Sequence, residues 1–222
     1  MKNAKKIMVF VPVLIVSSIF LGIHYFHQYL HTTPKRLVAL NIAILLFYAW
    51  IVIGILRRRQ DSFIDVLLQS SFYVYIFSVL TLTGYFILFN QVSAHNWWHK
   101  MLERVNRRDG VNLQPLVFMK GHHLLSYEVI GNFIMLLPLG IYLPLLYRKI
   151  KGFFSVTLVA MLVSVSIELM QLATSVRVTD IDDVILNTAG ASLGFIIYFI
   201  IYTLVIKPLH ASQAREGLHP SM

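Results

Sequence analysis

The sequence predicts an all-α, polytopic helical membrane protein with about six transmembrane helices. Only 13% of its 222 residues are charged and 57% are hydrophobic, whereas a soluble domain carries roughly a quarter charged residues. The apolar residues are also gathered into runs of the roughly 20 residues that a helix needs to cross the hydrocarbon layer. A chain so poor in charge requires a solvent that does not demand it, and lipid admits helices because they satisfy their own backbone groups. The formal net charge of +9 would suggest nucleic acid in a soluble protein. Here the basic residues flank apolar runs as membrane topology requires, so the expected partner is the lipid bilayer and not nucleic acid. The absence of cysteine excludes a disulfide framework, a thiol nucleophile and thiolate metal sites.

The first run, Ile7–Tyr25, follows Lys2, Lys5 and Lys6. It is longer than a signal-peptide core and no small-x-small cleavage site follows. His24, Tyr25, His27, Gln28 and Tyr29 form an interfacial ending, so an uncleaved span is expected. The next two are Leu37–Leu56 and Phe63–Phe89, the latter long enough to tilt or extend beyond the membrane. Span four, Val129–Tyr147, contains Pro138 and Pro144, which remove backbone hydrogen bonds and should kink or loosen it. Span five is Phe153–Ala173. Span six, Ile181–Ile206, opens with Asp180 as an N-cap and Asp182 and Asp183 in the first turn, where the helix dipole favours negative charge. Gly190, Ala191 and Gly194 give it a small-residue surface for close helix packing.

Lys2, Lys5, Lys6, Arg57, Arg58, Arg59, Arg148, Lys149, Lys151, Lys207 and Arg215 mark one side as cytoplasmic by the positive-inside rule. The expected product is a multi-pass cell-membrane protein with both termini cytoplasmic. Its regions are an N-terminal three-helix membrane region (1–90), an extracytoplasmic loop with an interfacial helix (91–127), a membrane domain overlapping the end of that loop (111–206) and a cytoplasmic tail (207–222). From His210 onward the tail is polar and predicted disordered. The loop carries Lys100, Arg104, Arg107, Arg108 and Lys120 against the charge rule, but it is the longest loop.

Within that loop Trp97 and Trp98 prefer the headgroup level, and Arg104, Arg107 and Arg108 follow at helical spacing. An aromatic anchor is one reading; phosphate binding by the arginines is the other. His122 and His123 are adjacent, point in different directions on any regular element, and fit a solvated loop better than a zinc site.

A carboxylate within a span is costly, so Glu168 needs a reason. Ser164, Glu168 and Gln171 share one helical face of span five. Asp180, Asp183, Asn187 and Gly190 share one face of span six, and span four places Asn132 one turn below its start. The expected site is therefore an outward-opening polar cleft formed by Asn132, Glu168, Gln171, Arg177, Asp180, Asp182, Asp183 and Asn187. The plainer reading is that these groups satisfy one another, with Arg177 pairing to the acids.

Val111-Asn112-Leu113-Gln114-Pro115-Leu116 resembles the N-L-x-P motif of VanZ-like proteins. Gly131-Asn132 through Pro138-Leu139-Gly140 resembles that family's N-x3-F-x-P-x-G helix, with Leu136 in place of an aromatic residue. Ser166-Ile167-Glu168-Leu169-Met170-Gln171, Arg177 and Asp180 through Gly190 resemble its S-x-E-x2-Q, R and D-x-D-D-x3-N-x2-G signature. The likeness runs from Val111 to Tyr198 and leaves the first three spans outside it. It implies an integral envelope protein of a family whose namesake lowers susceptibility to teicoplanin, with no settled chemistry. On that footing the cleft would bind a cationic or sugar-amine group of a glycopeptide antibiotic or cell-wall precursor, with no cofactor. The alternative is a metal-dependent intramembrane enzyme acting on a lipid phosphate or pyrophosphate, in which the carboxylates hold a divalent cation. A transporter is the third reading, weakened by the lack of an internal repeat.

Overall fold

A computed structural model gives the structure, described over residues 2–28, 34–58, 62–85, 97–107, 111–117, 126–173 and 178–208. The described elements are α1 (Lys2–Gln28), α2 (Pro34–Arg57), α3 (Phe63–Leu82), α4 (Trp97–Arg107), α5 (Tyr127–Met135), α6 (Leu137–Leu146), α7 (Phe153–Ala173) and α8 (Ile181–Ile201), with a π-helical extension over Tyr202–Ile206. Two short strands, β1 (Val111–Asn112) and β2 (Thr179–Asp180), pair with each other. The chain is an all-α polytopic membrane protein. Among the described residues, five helical stretches are long and apolar enough to cross a bilayer: Ala4–Gly22, Phe63–Leu82, Tyr127–Leu146, Phe153–Ala173 and Ile181–Ile206. The expected second span falls within α2, where the qualifying apolar stretch, Leu45–Arg57, is shorter.

Two elements refine the sequence reading. Helix α3 ends at Leu82, and the last residues of the expected third span, 86–89, lie outside the described residues. The Thr83 amide and hydroxyl both return to the Val79 carbonyl at 2.9 Å, and Gly84 then takes φ 77°, the left-handed conformation that stops a helix. At its start, Ser62 and Asp65 form a reciprocal capping box. The fourth span, expected to kink or loosen at its prolines, is divided into two helices. Leu136, at φ −99° and ψ 0°, separates α5 from α6, because Pro138 has no amide to continue the ladder and sits instead in the first turn of α6. Pro144 lies inside α6 without interrupting it.

The chain divides into two units, Met1–Asn112 with Leu169–Thr179, and Leu113–Glu168 with Asp180–Met222. In the first, α1 packs on α3. Phe77 is buried there, with its ring centroid 5.4 Å from that of Phe20 and 5.8 Å from that of Phe47. The hydroxyls in these helices turn back onto their own backbone: Ser17 to the Val13 carbonyl at 2.6 Å, Ser78 to Val74 at 2.9 Å and Thr81 to Phe77 at 2.9 Å. Lipid offers these groups no partner, so self-satisfaction is the economical solution. Ser17 also meets the Tyr48 hydroxyl, and Gly54 leaves the space that the Tyr73 hydroxyl fills.

In the second unit α8 packs against α5 and α6, and the contact is made by backbone. A Cβ on Gly190 would collide with the Phe133 carbonyl, one on Gly194 with the Leu137 carbonyl, and one on Gly140 with the Ala191 carbonyl. The small-residue surface expected of span six is thus a seam at which two spans touch main chain to main chain. It holds α5, which carries Asn132, close to the start of α8.

Candidate functional site: a carboxylate-rich polar core in the second unit

The first turn of α8 organises the site. Asp180 caps it as its sequence position predicts, its carboxylate accepting from the Asp182 amide at 2.9 Å. The amide of Asp180 itself donates to Glu168 Oε2, also at 2.9 Å. Glu168 therefore answers one of the unpaired donors at a helix start, where water would serve in a soluble protein. The positive end of the helix dipole makes that position favourable for negative charge. Glu168 and Asp182 are buried, 4% and 5% exposed.

Asp182 turns away from its own helix. Its Oδ1 accepts from the amide of Leu116 at 2.5 Å, and Leu116 stands at φ 62°. A left-handed leucine costs roughly 1–2 kcal/mol, and the Asp182 carboxylate rewards that conformation with a charge-assisted hydrogen bond. Asp183, on the neighbouring face, accepts from Asn132 Nδ2 on α5. One turn further along α8, Asn187 Nδ2 donates to Ser164 Oγ on α7 at 3.0 Å. Ser164 precedes Glu168 by one turn, just as Asn187 follows Asp183 by one, so the helices are joined by two successive polar rungs.

The structure thus brings together Asn132, Glu168, Asp180, Asp182, Asp183 and Asn187. Gln171 is buried one turn beyond Glu168 on α7, in the stretch assigned to the first unit. Arg177 lies outside the described residues, as do His122, His123 and the tail beyond Pro208. Two participants were absent from the expected set. Ser164 was legible in the sequence through its one-turn spacing to Glu168. The Leu116 amide was marked only by the adjacent Pro115. Thr188 belongs beside them: its Oγ1 and Asn187 Oδ1 are buried without a hydrogen-bond partner among the described residues.

Carboxylates accept hydrogen bonds and do not donate them, so this core favours ligands rich in N–H or O–H groups. Asn132, Asp180 and Asp183 are only half-buried, which leaves an edge of it within reach. Among the described residues no group of three or more His, Asp or Glu side chains is arranged to hold a metal ion.

The family model described as VanZ/LLP1 matches residues 72–202, beginning inside α3 and so reaching further toward the N-terminus than the sequence motifs. The chain is 27% identical over 125 residues to Protein VanZ of Enterococcus faecium, an alignment covering 56% of this chain and 69% of that protein. No solved structure matches.

Proposed function

The chain belongs to the VanZ/LLP1 family, and from that premise we propose that it acts in the cell envelope to lower susceptibility to glycopeptide antibiotics such as teicoplanin. The proposed working part is the polar core at the start of α8, opening away from the cytoplasm, with both chain termini inside. Its ligand is a cationic or sugar-amine group on the drug or on a cell-wall precursor. The observation that supports this best is the gathering of Glu168, Asp180, Asp182 and Asp183 at one helix start, within a span where a carboxylate is costly. Capping one helix needs fewer carboxylates than this.

The test compares antibiotic susceptibility of cells carrying no copy, the natural chain, Glu168→Gln, or Asp182→Ala/Asp183→Ala, with membrane abundance measured in each. Protection should fall at least several-fold in the variants while the protein still accumulates. Full protection by an abundant Asp182→Ala/Asp183→Ala protein removes the polar core from the function. Asp183→Asn separates charge from shape, since an amide oxygen still accepts from Asn132. The metal-dependent alternative makes a different demand: the purified protein must release or absorb heat on titration with Mg²⁺.

A further inference from the structure

Helix α4 is amphipathic along its whole length. At 100° per residue, Trp98, Met101, Leu102 and Val105 fall on one arc, and His99, Glu103, Asn106 and Arg107 on the other. The apolar arc is partly exposed: Trp98 is 51% exposed, Leu102 39% and Val105 44%, and Met101 is half-buried. The polar arc carries the Glu103–Arg107 pair at 2.5 Å, and the helix as a whole is basic, with Lys100, Arg104 and Arg107 against Glu103.

One contact sets the level at which α4 lies. Arg104 donates to the carbonyl of Leu172 at 3.0 Å, in the last turn of α7. Carbonyls there lack intrahelical partners, and a basic side chain suits the negative end of the dipole. Because α7 spans the membrane, its end marks a membrane surface, and α4 is bound to that end. A partly exposed apolar arc, a polar opposite arc and attachment at the boundary of the hydrocarbon layer together describe a helix lying in the plane of the interface.

We infer that α4 is a membrane-surface docking helix: Trp98, Leu102 and Val105 enter the acyl–headgroup boundary of the bilayer, and the polar arc faces the headgroups and water. The occupant of the apolar arc is lipid. Neither a second copy of the chain nor another protein supplies the cover.

The absence of native cysteine makes the test direct. Single nitroxide labels at Val105→Cys and at Glu103→Cys, on opposite arcs, are placed in the full chain reconstituted in phosphatidylglycerol–phosphatidylcholine vesicles. Each label's collisions with oxygen, which partitions into lipid, are compared with its collisions with a water-soluble nickel chelate. The ratio of oxygen to nickel collisions should be roughly two-fold or more higher at 105 than at 103. Equal ratios would overturn the inference by leaving both arcs in water. Shielding of 105 from both reagents would overturn it too, since protein would then cover the arc. Leu102→Cys repeats the measurement on the same arc if the Val105 variant does not accumulate. Antibiotic susceptibility is not read, so the outcome is independent of the proposed function.

Discussion

Asn187 shows how polarity is handled at the level of the single side chain. It is 1% exposed, donates to Ser164, and keeps an oxygen without a partner among the described residues. Removing both partners should therefore cost less than the sum of removing each. A double-mutant cycle of Asn187→Ala and Ser164→Ala, read by thermal unfolding in detergent, should return a coupling of about 0.5–1.5 kcal/mol, the range of interhelical hydrogen bonds in membranes. Leu116 makes a second case. Asp182→Ala withdraws the acceptor that holds its left-handed backbone, whereas Leu116→Gly relieves the strain, so Leu116→Gly should offset part of the stability lost in Asp182→Ala by the same assay. The Asp180 cap and the acidic first turn were legible in the sequence because a cap and its helix are adjacent. The partners of Glu168 and Asp182 were not. Each binds a backbone amide, 12 and 66 residues away respectively, and every residue but proline has an amide, so side-chain chemistry gives no sign of which one is chosen.

For whole elements, the sequence was most informative where the physics is local. Apolar runs long enough to cross a bilayer identify themselves, and spans five and six begin and end close to where their runs do. In span three a continuing apolar run concealed the helix break at Thr83 and Gly84. Pro138 signalled a disturbance in span four, but whether a proline bends a helix or divides it depends on what its neighbours can satisfy. The glycine seam gives the sharpest expectation at this scale. Gly190→Val drives a branched side chain against the Phe133 carbonyl, and should destabilise the protein by at least about 1–3 kcal/mol, as overpacking does. Gly131→Ala, on the same unit with nothing within 4 Å of its Cβ position, should be near neutral. Thermal unfolding of the two purified variants makes the comparison.

At the scale of the whole chain, the proposed orientation predicts where reagents reach it. Glu128 and Lys151 are both exposed and flank span four at opposite ends. With no native cysteine to remove, Glu128→Cys should react with an impermeant maleimide in intact cells, and Lys151→Cys only after permeabilisation. The reverse pattern would turn the carboxylates toward the cytoplasm and end the proposed function. The main-chain contact through Gly140, Gly190 and Gly194 has one more implication. Sliding α8 along α6 by a turn, about 5.4 Å, would replace glycine with Leu186 or Leu193 or Tyr198 at points where only a hydrogen fits. The two spans are therefore keyed to a single register. A cross-link placed across them should form to the same extent in the resting protein and in one engaged with its ligand.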